Sequence, residues 1–247
     1  MFQTTRGIVL RETEYKDNDK ILTILTRDSG LMTVRAWGVK RKNSPLKSGC
    51  QLLTYSEFTI HEKQGFRKVQ EVAPIEMFSP LRQDIVLLSL GSYFAQTAEV
   101  LAQEDFPDTN LLTLLLYALR ALCIGRNPTL VKAAYELRLA IISGYEPDLS
   151  GCAVCGEDNP GRFNVSKGVL QCSSCSAPEM EGLHLPVSPG TLDAMRYLSL
   201  CPLEKVFSFS LGERSAGELA GIGETYLLTQ LERGFFTLDF YKSLLLT

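Results

Sequence analysis

The sequence predicts an α+β, multi-domain protein: a small β-barrel over residues 1–80, then an all-helical domain over 81–247 carrying an inserted four-cysteine module at about 150–182. Three observations predict it. Two-residue alternation of apolar side chains fills the first 80 residues, three-to-four spacing replaces it after Pro80, and four of the seven cysteines form two CxxC pairs. At 247 residues the chain is long enough to bury a core in each part.

The barrel comes first. Runs rich in Thr, Val, Ile and aromatic residues recur at Thr4–Leu10, Ile21–Thr26, Leu31–Trp37, Leu52–His61 and Phe66–Val72. They are broken by YKDND, RDSG, NSPLKSG and EKQG, each with Asp, Asn, Gly or Pro to turn the chain. Five short strands in about 75 residues fit an OB-fold, and an SH3-like barrel fits the same periodicity. Within Leu31–Trp37, alternation sends Met32, Val34 and Ala36 to one face and Thr33, Arg35 and Trp37 to the other.

Helical spacing then predicts helices at 84–103, 109–124, 128–143, 189–199, 214–231 and 235–245. Asn127 is placed to cap the third, Pro128 suits its first turn, and Gly144 suits its end. Gly221-Ile222-Gly223 reads as a packing or kink position. There is no P-loop, no GxGxxG after a strand, no HExxH and no GxSxG. The pairs Glu12/Glu14 and Asp17/Asp19 read as a solvated hairpin before a magnesium site. With two histidines in the chain, acid–base catalysis has few candidates and an enzyme is not expected.

Cys152-x2-Cys155 and Cys172-x2-Cys175 are separated by 16 residues, within the range of zinc ribbons. Each CxxC turn aims two thiolates at one point, and a hairpin of Phe163–Val165 and Val169–Gln171 around Ser166-Lys167-Gly168 would bring the turns together. Gly156 suits a tight turn with N–H groups directed at sulfur. Four thiolate ligands leave no open position, so a bound Zn2+, one per chain, is expected to be structural. Disulfides are disfavoured in a reducing compartment. Cys50, Cys123 and Cys201 read as core or incidental thiols, and His61 and His184 as surface or capping residues. The module holds Arg162 and Lys167 against Glu157, Asp158, Glu179 and Glu181. That balance repels phosphate and suits a brace, not a DNA reader.

The overall charge of −3 conceals an asymmetry: residues 1–80 carry 13 Lys/Arg against 9 Asp/Glu, and the rest 12 against 19. Lys40, Arg41, Lys42 and Lys47 crowd a polar loop expected to be mobile in the free protein. Arg35, Trp37, Arg67 and Lys68 extend the candidate surface for a polyanion. Trp37 has an alternative role in covering the core or an interface, and the loop cations an alternative as solvated surface. Four phosphate contacts would give single-strand binding a log–log salt slope of roughly −3. No recognition helix is present, so binding is expected to be largely independent of sequence. The N-terminal segment MFQTTRGIVLRETEYKDNDK lacks an apolar signal core, and a cytoplasmic, nucleoid-associated protein is expected.

The segments TTRGIVLRETEYKDNDKILTILTRDSGLMTVRAWGVKR, YELRLAIISGYEPDLSGCAVCG and GVLQCSSC together resemble the bacterial recombination mediator family RecO along essentially the full chain. The resemblance implies an OB-fold followed by a zinc-bearing helical domain. It implies binding of single- and double-stranded DNA, strand annealing, partnership with RecR, and loading of RecA onto DNA coated by single-strand-binding protein (SSB), with a functional link to RecF. It also implies a pocket in the helical domain for the acidic, Phe-ending SSB tail, for which Arg120, Arg126, Lys132 and Arg138 are the candidate cations. Two other classes fit parts of the sequence: a zinc-ribbon transcription regulator, and a small nucleotide-directed enzyme with structural zinc.

Overall fold

The computed structural model describes residues 1–175 and 181–246. Glu179, one of the module's acidic residues, lies outside the described residues. The chain divides into two compact units, Met1–Leu119 with Phe235–Thr247, and Arg120–Gly234. The unit containing the barrel therefore extends past the change of periodicity at residue 80.

In the first unit, β1 (Phe2–Tyr15), β2 (Asp19–Thr26), β3 (Gly30–Ala36), β4 (Tyr55–Lys63) and β5 (Phe66–Glu76) close a barrel in the order β1-β2-β3-β5-β4. Antiparallel β1–β4 pairing and the parallel contact of β3 with β5 complete the closure, the arrangement of an OB-fold. Inward residues follow the alternation: Met32, Val34 and Ala36 of β3 are buried with Val9, Leu22, Ile24, Phe58, Ile60 and Val69. The strands exceed their apolar runs because pairing continues into polar ends, as where Tyr15 meets Asp19.

The basic loop is anchored. Val39, Leu46 and Cys50 enter the barrel core, and successive turns link Arg41 to Gly38, Ser44 to Arg41, and Cys50 to Leu46. Three apolar side chains spaced through a polar segment hold it on the barrel, which the loop's polarity concealed. Helix α1 (Ile85–Leu101) is capped by Asp84, whose carboxylate accepts from Val86 and Leu87 N–H. The chain returns to this unit as α6 (Phe236–Leu244). Phe235 packs edge-on against Tyr93 of α1 at 5.7 Å, and Gln96 accepts from the Thr237 hydroxyl.

Helix α2 (Thr109–Cys123) leads into the second unit, where α3 (Pro128–Ile142) is capped by Asn127 as expected. It is followed by β6 (Asp148–Cys152), β7 (Arg162–Asn164), β8 (Val169–Gln171), β9 (His184–Pro186), α4 (Pro189–Leu200) and α5 (Glu213–Gln230). The four strands form one sheet in the order β6-β8-β7-β9. β6 and β9 are too short to show periodicity, and pairing with the hairpin makes them strands. Helices α3 and α5 approach closely at Gly223, where an added Cβ would lie 3.0 Å from the Ala133 carbonyl oxygen. Gly223 is therefore a packing residue, while Gly221 faces open space.

Candidate metal centre and nucleic-acid interface

Two features stand out, one in each unit. In the second, strands β7 and β8 turn at Gly168, held at φ +66° with Tyr226 of α5 directly over it. Phe163 is fully buried against the Tyr226 ring at 5.2 Å, and Gln230 donates to the Val165 carbonyl. The hairpin is thereby seated on α5, and its position carries the two CxxC turns together. Cys152, Cys155, Cys172 and Cys175 place all four sulfurs within 4.8 Å of one another.

These residues fit a metal ion. The Cys155 and Cys172 sulfurs are 3.8 Å apart, and a tetrahedral ion with metal–sulfur bonds of ~2.3 Å requires edges of about 3.8 Å. Burial opposes ionisation of Cys152, but backbone N–H groups of Cys155, Cys172 and Val154 outweigh it and bring the thiol down to about 6. Burial and hydrogen bonds to the neighbouring sulfurs hold Cys172 up at about 12. The hydrogen bond to Cys155, with burial, holds Cys175 up at about 11. One thiolate forms easily and its charge opposes the next; a cation among the four removes that opposition. Gly156, at φ +78°, closes the first knuckle with its N–H on the Cys152 carbonyl at 2.8 Å. The Val154 and Cys155 N–H groups of that turn, with Cys172 N–H from the other knuckle, are directed at the Cys152 sulfur.

Neither histidine joins the cluster. His184 is held by the Gly182 carbonyl and the Gln171 side-chain oxygen, and His61 stacks on Phe2 at 4.6 Å. Cys50 is buried in the barrel, which pushes its thiol up to about 12. Three of the four carboxylates in the acidic pairs of the first hairpin are engaged by protein groups: Glu12 with Lys20, Glu14 with Lys40, and Asp19 with the Gly38 N–H.

In the first unit, the outer wall of the barrel carries Arg35, Trp37 and Lys68. Trp37 is 51% exposed, and the Lys68 ammonium lies 4.7 Å from its ring centroid. Arg35 lies between two rings, 5.2 Å from Tyr15 and 5.0 Å from Phe66. Sequence reading missed Tyr15 and Phe66, although Tyr15 closes β1 and Phe66 opens β5, each beside a charged turn. The loop cations separate. Arg41 lines a cavity of about 360 Å³ with Trp37 and Lys68, whereas Lys40 and Lys47 line another of about 540 Å³ with Glu12, Glu14, Lys20 and Arg82. Lys42 is exposed. Arg67 is turned away to Glu62 at 3.1 Å and Asp105 at 3.5 Å.

The four candidate cations of the helical domain are not brought together. Lys132 is buried between Glu136 at 2.8 Å and Glu224 at 2.7 Å, inside the α3–α5 packing. Arg138 donates to the Leu198 and Ser199 carbonyls at the end of α4. Both serve the interior because their positions on α3 face the neighbouring helices. Arg120 is exposed in the last turn of α2. Arg126 borders a cavity of about 210 Å³ with Leu130, Val131, Phe207 and Phe209.

No helix among the described residues is long and apolar enough to cross a membrane. Comparison with known proteins places these features in a family. The family model described as Recombination protein O N terminal matches residues 1–78, and that described as Recombination protein O C terminal matches residues 82–239. The chain is 31% identical to the DNA repair protein RecO of Acetivibrio thermocellus over 97% of its length and 96% of that protein's. It is 29% identical to that of Desulforamulus reducens (96% and 94%) and 27% identical to that of Bacillus subtilis (92% and 88%). With its five-stranded barrel, helical region and four-cysteine cluster, the chain belongs to the RecO family of DNA repair and recombination proteins.

Proposed function

We propose that this protein is a non-enzymatic recombination mediator that binds single- and double-stranded DNA without strong sequence preference and anneals complementary strands. The observation that carries the reading is the exposed barrel wall on which Arg35 and Lys68 lie against Tyr15, Phe66 and Trp37. Cations beside open rings suit a flexible polyanion with bases to stack. Arg41, Lys42 and Lys47 neutralise phosphate at its margin, and reduced repulsion between two bound strands raises the frequency of productive encounters.

In this reading, RecR joins the DNA-bound protein, and together they admit RecA to SSB-coated single strands, in functional connection with RecF at the nucleoid. The Arg126 cavity receives the Phe-ending acidic tail of SSB: a guanidinium for carboxylate beside Phe207, Phe209 and Leu130 for the ring. Tethering of this kind raises the local concentration of the mediator at coated DNA. The four cysteines hold one structural Zn2+ that fixes the second unit's sheet on α5. An alternative role for this module as a transcription regulator's DNA reader is disfavoured by Glu157, Asp158 and Glu181 around it.

The test is annealing of complementary oligonucleotides, naked and SSB-coated, without nucleotide cofactor. Wild type accelerates annealing, and Lys40/Arg41/Lys42→Ala loses most of that acceleration in a salt-dependent way. An unchanged rate with wild type would overturn the mediator reading.

A further inference from the structure

The connection between α1 and α2 is a fixed turn that carries an acidic, aromatic tip. Gln103 and Phe106 bridge across Glu104 and Asp105, with Asp105 at φ +60°. The Gln103 carbonyl accepts from the Leu31 N–H at 2.9 Å. Gly30, at φ +63°, leaves no room for a Cβ beside the Gln103 and Phe106 carbonyl oxygens, and so lets the turn lie against β3. Asp108 ties the other end by accepting from the Asn110 and Leu111 N–H groups at the start of α2. The Phe106 ring is left 69% exposed beside the exposed Glu104 and Asp105. Arg67 reaches Asp105 at 3.5 Å, and Glu104 has no cation partner among the described residues.

The second unit carries the complementary arrangement. The cavity of about 210 Å³ at the start of α3 has Arg126 at its edge, Leu130, Val131, Phe207 and Phe209 on its walls, and no acidic residue lining it. We infer that a second copy of this chain docks there. The turn of one copy sets Phe106 against Phe207, Phe209 and Leu130 of the other, and turns Glu104 and Asp105 towards its Arg126. Opposite charge and matching apolar surface select this occupant. Because the turn is held at both ends, little ordering cost opposes the contact. One anchor in a small cavity makes it weak and reversible. The inference rests on the reading that this cavity takes an acidic, Phe-bearing segment, and adds that the chain carries one itself. Self-association and capture of the SSB tail therefore exclude one another.

The experiment is sedimentation velocity of the full chain without DNA, from about 1 to about 100 µM, the range suited to a small contact. Wild type should self-associate at low salt and less so as salt is added. Phe106→Ala and Arg126→Ala should each weaken association by about 30-fold or more, the scale of one lost anchor. Phe106→Ala keeps its cavity, so its capture of an aspartate-rich, Phe-ending peptide in a polarisation assay should be unchanged. An equimolar mixture of the two variants should associate where neither does alone, because one supplies the turn and the other the cavity; misfolded variants would not complement each other. Wild type that is monomeric throughout the range, or that associates equally well with either substitution, overturns the proposal, and peptide capture then still upholds the reading of the cavity. A mixture that stays monomeric, or wild type that stays associated with peptide bound, overturns it too. If the peptide does not bind yet both variants lose association, self-docking stands and the tail reading falls.

Discussion

Glu218 on α5 gives a stability prediction with a sign and a size. Its carboxylate accepts from the Ser188 N–H at 2.8 Å and the Thr191 hydroxyl at 2.7 Å, and Arg214 donates to its other oxygen at 3.1 Å. Ser188 makes no side-chain cap to the backbone of α4, so Glu218 places the anion at that helix start. Burial disfavours the charge, but these hydrogen bonds outweigh it and bring the carboxyl down to about 2 from its usual 4.5. A displacement of that size is worth ~3 kcal/mol of folding stability. A lowered native pKa stabilises above the unfolded value, and the stabilisation disappears as pH falls from about 5 towards 2. Glu218→Gln keeps the shape and one oxygen acceptor but removes the charge. Urea unfolding of both proteins should show the variant ~2–3 kcal/mol less stable at pH 7. That gap should narrow below about pH 5 by at most ~1.4 kcal/mol per pH unit. A gap that is constant from pH 7 to pH 3, or widens in acid, would refute the assignment of the hydrogen bonds to the ionised form.

Further outcomes follow from the other sites. Metal analysis should find one zinc per chain, absent from Cys155→Ser; chelation should expose four thiols to disulfide reagents and open 153–171 to proteases, and full metal retention by Cys155→Ser would contradict the ligand set. Lys132→Met, which withdraws the ammonium from between Glu136 and Glu224, should cost ~3–5 kcal/mol in denaturant unfolding. Arg126→Ala should change stability by no more than ~0.5 kcal/mol yet abolish binding of an acidic Phe-ending peptide in a polarisation assay. Single-strand affinity measured against salt should fall with a log–log slope of about −3.5, because Arg35, Lys68, Arg41, Lys42 and Lys47 meet phosphate while Lys40 is already paired with Glu14. A slope of about −4 or steeper would show that Glu14 gives way.

The barrel, the helix positions and the four-cysteine cluster were legible in sequence because each depends on local spacing. Period two separated Met32, Val34 and Ala36 from Arg35 and Trp37, and the structure keeps that division. The cap at Asn127 needed only its neighbours Thr129 and Leu130. The loop at 40–50 misled because three anchors, Val39, Leu46 and Cys50, are too far apart to make a run. Lys132 and Arg126 show the same limit for charge. Both are cations near the start of α3, but one rotation about the helix axis puts Lys132 between two carboxylates and leaves Arg126 at a cavity rim.

Register between strands distant in the chain is where sequence reading stops. Phe2, His61, Lys68 and Arg35 span 67 positions, and no window of the sequence contains the row they form. A one-residue slip of β4 against β5 would exchange His61 for Glu62 or Ile60 and interrupt it, because side chains alternate faces along a strand. That slip is blocked by burial: Ile60 and Val69 occupy the core opposite one another, and moving either outward would expose apolar surface. The same apolar pairs that close the barrel therefore hold the outer wall in register, and a core substitution such as Val69→Ala acts on the wall only by loosening that pairing.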